Sequence, residues 1–292
     1  MDDPRWQSQQ QQQSTPSARQ YSGHAEPEIL PPGAMPEQTY GYQQGPVVPP
    51  RPRTQRPGWQ ISPATYLLVG INIAIYVLMV ARGVSSVSPN SLNLVHWGAN
   101  FGLAVLLYGQ WWRLITATFV HAGVIHLATN MWCLWNLGLV GEPLLGSFGL
   151  LATYLLTGVM GNLLSVAVNP SVVGVGASGA VFGLAGVLIL LLGSPLLPVV
   201  RSEVKRLRRS VIYFAVLNFV IGVGTDVFHT RVQIDNMAHL GGFLCGLALG
   251  VPLVPKLGAE RTLWVRRQWL AFGGMVLLVL LGARFVASLR HG

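Results

Sequence analysis

Four side chains have types and spacings suited to acyl-transfer chemistry: Ser178, His239, His126 and Asn130. Ser178 lies in Gly176-Ala177-Ser178-Gly179, heading an apolar run that reaches Gly193 without a charged residue. A serine hydroxyl attacks a carbonyl efficiently only when a neutral imidazole takes its proton. His239 is the candidate for that base, and later for the acid that protonates the leaving amine. His126 and Asn130 are four apart, hence on one helical face, and both can donate toward a developing oxyanion. The Ser178 backbone amide is a further donor, and Gly179 leaves room for a substrate backbone. Each residue also has a plainer reading. A serine at the start of a membrane helix is commonly a cap or a small packing residue, and an intramembrane histidine can be a structural hydrogen-bond partner.

Rival chemistries are checked by counting acids. From residue 61 onward the acids are Glu142, Glu203, Asp226, Asp235 and Glu260. Aspartyl proteolysis needs two carboxylates facing each other, whereas Asp226 and Asp235 fall at helix ends. Gly222-Val223-Gly224-Thr225-Asp226 only approximates the Gly-x-Gly-Asp pattern of presenilin-like proteases. No H-E-x-x-H is present, so zinc hydrolysis has no support. With no acid inside the spans to complete a triad, the expectation is a Ser–His dyad.

The elements that must carry these residues follow from composition. Of 292 residues, 51% are hydrophobic and 10% charged. A soluble domain carries about 25% charged residues, so this is an integral membrane protein. The net charge of +9 does not point to nucleic acid, because the basic clusters flank apolar spans rather than forming a soluble aromatic-studded face. Cys133 and Cys245 both fall within apolar spans and are read as packing residues.

Residues 1–60 are rich in Gln, Pro, Ser and Gly and are read as a disordered cytoplasmic tail. No apolar segment lies near Met1, so no cleavable signal peptide is expected. Arg51, Arg53 and Arg56 just precede the first span and suit an anionic leaflet. Seven apolar segments follow, at about 64–82, 124–141, 148–168, 177–193, 210–228, 236–254 and 268–287, most near the length a bilayer crossing needs. The loop 83–123 carries Trp97, Phe101, Tyr108, Trp111 and Trp112, which suit the membrane interface.

Orientation comes from the loops. Arg201, Lys205, Arg206, Arg208 and Arg209 crowd the connection between the fourth and fifth spans. Lys256, Arg261, Arg266 and Arg267 fill that between the sixth and seventh. The positive-inside rule puts both, and the N-terminus, in the cytoplasm. The second, fourth and sixth spans then all begin at the outer face, which sets His126, Asn130, Ser178 and His239 at one depth. Gly242, Gly246 and Gly250 share a face with His239, and Gly179, Gly183 and Gly186 answer on the fourth span. Close glycine-mediated packing of these two helices would bring His239 within reach of Ser178.

Six stretches together resemble the rhomboid family of intramembrane serine proteases. They are Gly98-Ala99-Asn100, Gly109-Gln110-Trp111-Trp112-Arg113-Leu114, and the segment from His121 through His126 to Asn130. The others are Glu142-Pro143-Leu144-Leu145-Gly146, Gly176-Ala177-Ser178-Gly179 and His239-Leu240-Gly241-Gly242. The resemblance implies an all-α polytopic bundle: a six-helix catalytic core over 61–255, then a basic loop and one extra C-terminal span over 256–292. It implies Ser178 as nucleophile, His239 as base, and an oxyanion hole from His126, Asn130 and the Ser178 amide. Trp112 and Arg113 match a structural motif of the first outer loop, and Glu142 a carboxylate bracing the helices. Phe182 stands where some members have Tyr against the catalytic His, and can stack there equally well. Substrates would be single-span membrane proteins cut near the outer end of the span, with no metal or cofactor, and the membrane a bacterial plasma membrane. One other reading stays open, a catalytically silent relative that retains membrane clients. A solute transporter would be expected to show inverted repeats and broken helices with mid-membrane binding groups. The sequence shows no repeat, and its polar groups cluster at one depth. Oligomeric state is not legible.

Overall fold

A computed structural model describes residues 62–194, 201–227, 235–254 and 261–289. All belong to one of the chain's two units, Thr54–Gly292. The tail reading for 1–60 therefore falls outside the described residues.

The first helix, α1 (Pro63–Ala81), starts with proline at its first position, where the missing N–H costs nothing. Its exit is the Arg82-Gly83 turn, with Gly83 at φ +90°. The loop that follows is folded, holding α2 (Ser91–His96), strand β1 (Asn100–Phe101), α3 (Gly102–Tyr108) and α4 (Arg113–Thr116). The main helix, α5 (Val124–Val168), contains Pro143 and a non-helical Gly146 at φ 75°, ψ 163°. Proline removes a ladder bond and glycine accepts the left-handed backbone, so α5 is two arms. The spans expected at 124–141 and 148–168 are these arms, joined by a break rather than a loop. A two-residue strand β2 (Val173–Gly174) pairs antiparallel with β1, Asn100 opposite Gly174, tying the first loop to the turn before Ser178.

Helix α6 (Ser178–Leu191) has only 14 residues, roughly 21 Å at 1.5 Å per residue. It is apolar all round and buried along nearly its whole length, the signature of a helix enclosed by others. Around it stand both arms of α5, α7 (Arg201–Val227) and α8 (Asn236–Leu253), with α1 against α5 and α9 (Arg261–Ser288) against α5 and α8. Among the described residues, four helices are long and apolar enough to cross a membrane: Pro63–Ala81, Val124–Val168, Asn236–Leu253 and Thr262–Ser288. The molecule is a polytopic membrane helix bundle. Two expectations shift. Residues 201–209, read as a connection, are the first turns of α7, and Arg261, Arg266 and Arg267 belong to α9. Arg and Lys are good helix formers whose long stems lie along apolar surface while the charge stays in water, so a basic run need not end a helix.

Candidate active site

The turn before α6 is fixed from three sides. Gly176 sits at φ +112°, in the left-handed half of the map that glycine alone occupies freely. Its N–H donates to the Ala117 carbonyl at 2.9 Å. The Ala177 N–H donates to His121 Nε2 at 3.5 Å. A Cβ on Gly176 would lie 2.6 Å from Cε1 and 2.8 Å from Nε2 of His126, and 3.7 Å from Asn130 Nδ2. Glycine is therefore required twice here, by backbone angle and by the histidine packed on it. The two α5 side chains thus stand directly against the turn that ends in Ser178, which is half-buried.

Hydrogen bonds assign the ring protons. His126 Nδ1 accepts the Ala122 N–H at 3.3 Å, so the proton of a neutral ring is on Nε2, the atom next to Gly176. Asn130 gives one amide hydrogen to the His126 carbonyl at 2.9 Å, leaving its second hydrogen to donate. For His121, Nδ1 meets the Phe119 carbonyl at 3.2 Å and Nε2 is the acceptor, so its proton is on Nδ1. Two neighbouring imidazoles, 5.3 Å apart, carry opposite tautomers. His126 presents a donor toward the turn, and His121 holds it as an acceptor.

His239 arrives on α8. A Cβ on Gly242 would run into the Gly179 carbonyl, and one on Gly246 into the Gly183 carbonyl. One on Gly250 would meet Val187 and Leu190, so α6 and α8 run parallel in backbone contact. Gly186 meets Phe243 and Leu247 rather than Gly250. His239, one turn into α8 and 5% exposed, stacks on Phe182 of α6, with centroids 4.4 Å apart and rings 15° from parallel. Phe182 is one turn below Ser178, so the imidazole lies over the helical face that Ser178 heads. Among the described residues, Ser178 and His239 share no hydrogen bond, and His239 Nδ1 is buried with no partner. Asp235 caps α8, accepting the Ala238 N–H at 2.9 Å and the Ser165 hydroxyl at 2.6 Å. It fixes the helix start that aims His239.

The remaining expected residues brace the frame. Arg113, 7% exposed, donates to Gln110 Oε1 at 2.6 Å and to the Val95 and Ala99 carbonyls at 2.6 and 3.1 Å. Its guanidinium also lies 4.5 Å from the Trp112 ring centroid. Together they close the first loop. Glu142, at the opposite end of the bundle, accepts the Ala64 and Thr65 N–H groups at 2.8 Å each. It also takes the hydroxyls of Thr65 at 2.7 Å and Ser147 at 2.6 Å. Sequence reading assigned no role to His121 or to the cap made by Asp235. The second was signalled by an Asp just before an apolar helix. For the first no local rule exists, since its partner Ala177 is 56 residues away.

Comparison with known proteins covers the same region. The Rhomboid domain family model matches residues 108–256. The chain is 32% identical over 196 residues to rhomboid protease GluP of Bacillus subtilis (strain 168), covering 67% of this chain and 36% of that one. It is 34% identical over 185 residues to rhomboid-like protease 3 of Toxoplasma gondii, covering 62% and 67%. With rhomboid protease AarA of Providencia stuartii it shares 28% over 211 residues, covering 65% and 72%. The chain thus spans about a third of the first of these relatives and about two thirds or more of the others.

Proposed function

Because the chain belongs to the rhomboid family, we propose that it is an intramembrane serine endopeptidase working through Ser178 and His239. The Ser178 hydroxyl attacks a peptide carbonyl while neutral His239 takes the proton, and the imidazolium returns it to the leaving amine. Water then attacks the acyl-enzyme with His239 again as base, releasing the second product and restoring the serine. The oxyanion is met by His126 Nε2–H, Asn130 Nδ2–H and the Ser178 N–H. The single observation that carries this reading is the convergence at one turn. His126 and Asn130 pack against Gly176, and His239 lies on Phe182 of the helix Ser178 begins.

The proposed substrates are single-span membrane proteins, cut near the end of the span that faces Ser178. A helix must unwind locally to offer a carbonyl, so Gly or Pro near the cleavage point should favour turnover. The basic starts of α7 and α9 support a cytoplasmic assignment for the end remote from Ser178, with the site toward the outer face of a bacterial plasma membrane.

One observation favours the silent-relative reading: the dyad hydrogen bond is open. Catalytic hydrogen bonds are often long before substrate binds, and labelling decides. A serine-reactive fluorophosphonate should label wild type and not Ser178→Ala. Equal labelling of both, or of neither, overturns the assignment of Ser178.

A further inference from the structure

The end of the bundle remote from Ser178 concentrates positive charge. Residues 201–209 hold five basic side chains against one acid, Glu203. Since α6 and α8 run parallel, their C-termini lie together, and two other helices bring guanidinium groups to them. Arg208 of α7 covers Gly193 just past α6, where an added Cβ would lie 3.2 Å from its Cζ. Arg267 of α9 donates through Nη2 to the Pro252 carbonyl, in the last turn of α8, at 2.8 Å. Its Nη1 is buried with no hydrogen-bond partner. A charged donor held away from water without an acceptor is costly, and this marks where an anion would be held. Lys205, Arg209 and Arg266 are exposed on the same helix starts.

The kind of anion follows from what lies beyond the cations. Along α7 the exposed residues become Tyr213, Leu217 and Val220, and along α9 Trp269, Leu270 and Leu277. Helix α8, in contact with both, exposes Leu244 and Val251, seven residues apart on one face. A free phosphate or a nucleic acid has no use for such apolar stretches; a phospholipid needs both parts. We propose that this end of the bundle binds the headgroup of an anionic phospholipid in the adjacent leaflet, with the Arg267 guanidinium as central contact and the apolar faces of α7 and α9 along its acyl chains. The proposal gives the extra helix a task, and it stands whether or not Ser178 is catalytic.

The test uses the full chain reconstituted in phosphatidylcholine vesicles containing phosphatidylglycerol, re-extracted and weighed with its retained lipids by native mass spectrometry. Wild type should retain phosphatidylglycerol in preference to phosphatidylcholine. Each cation at an anionic surface is worth roughly fivefold, so Arg266→Gln/Arg267→Gln should cut that preference by roughly 25-fold, while Arg266→Lys/Arg267→Lys keeps most of it. The exposed pair Arg208→Gln/Arg209→Gln, which removes no described hydrogen bond, should lower it as well. Equal retention of the two lipids by wild type, or an unchanged preference in both Gln pairs, overturns the proposal.

Discussion

The chemistry proposed at Ser178 depends on which nitrogens carry protons, and that is testable one side chain at a time. Asn130 has one hydrogen committed to the His126 carbonyl and one left over, so Asn130→Ala removes a single proposed oxyanion donor and leaves Ser178 and His239 in place. Loss of one such donor costs ~10²-fold or more in turnover, and steady-state cleavage of a single-span substrate should show it. Full activity in the variant would remove Asn130 from the site. His239 makes a second prediction, with a definite sign. Only the neutral ring can accept the serine proton, so acidification must abolish activity as His239 is protonated, and activity must return on titrating back. A cleavage rate that stays flat down to the pH at which the protein itself unfolds would argue for another base. His239→Ala should be inactive at every pH while the protein still inserts.

At the level of helices, the placing of His239 relative to Ser178 is set by missing side chains. The parallel contact of α6 and α8 rests on glycine opposite backbone carbonyl, so the first atom added to Gly242 falls on the Gly179 carbonyl oxygen. Backbone cannot step aside as a side-chain tip can, and the helices must part. Gly242→Ala should therefore cost about 1–3 kcal/mol as an overpacked contact. It should also depress cleavage sharply, because it moves His239 relative to Ser178. The control is Gly70→Ala in α1, where nothing lies within 4 Å of an added Cβ. There the gain in helix propensity, about 0.5–1 kcal/mol, should leave the protein at least as stable. Thermal unfolding in detergent with cleavage on the same samples checks both, and equal behaviour of the two variants would sink the account. This contact was legible beforehand, because four-residue glycine spacing on two apolar segments says which faces meet. The break at Gly146 was legible as two separate spans, though not that a single non-helical residue would be their whole connection. The basic starts of α7 and α9 were not legible as helix, since charge marks the membrane border and not the end of backbone hydrogen bonding. His121 was beyond sequence reading altogether, because what it holds is a backbone amide, which leaves no mark on the side-chain pattern.

Across the described bundle, the proposed chemistry and the proposed lipid contact occupy opposite ends. The first arm of α5, α6 and α8 all start at the end that gathers His126, Ser178 and His239. Their far ends meet Glu142, the Gly146 break, Gln268 and the cations of α7 and α9. Gln268 of α9 donates to the Leu145 carbonyl at 2.7 Å, an acceptor freed by the break in α5. Glu142 does the larger share, since its two oxygens take two amides and a hydroxyl at the start of α1 and one hydroxyl from the far side of the break. A carboxylate at a helix N-terminus is favoured by the helix dipole as well as by these bonds. Glu142→Gln preserves size and shape but turns one acceptor oxygen into an NH2 group that faces donors already in place. Leaving buried donors unmet costs about 1–3 kcal/mol each, so the unfolding midpoint should fall by an amount corresponding to about 3 kcal/mol. None of the four donors touches the turn at Gly176, so the molecules that remain folded should cleave at close to the wild-type rate, with the loss appearing only as a smaller active fraction on fluorophosphonate titration. A variant that unfolds like wild type but has lost turnover would mean that Glu142 acts on the site itself. The separation of the two ends would then be wrong.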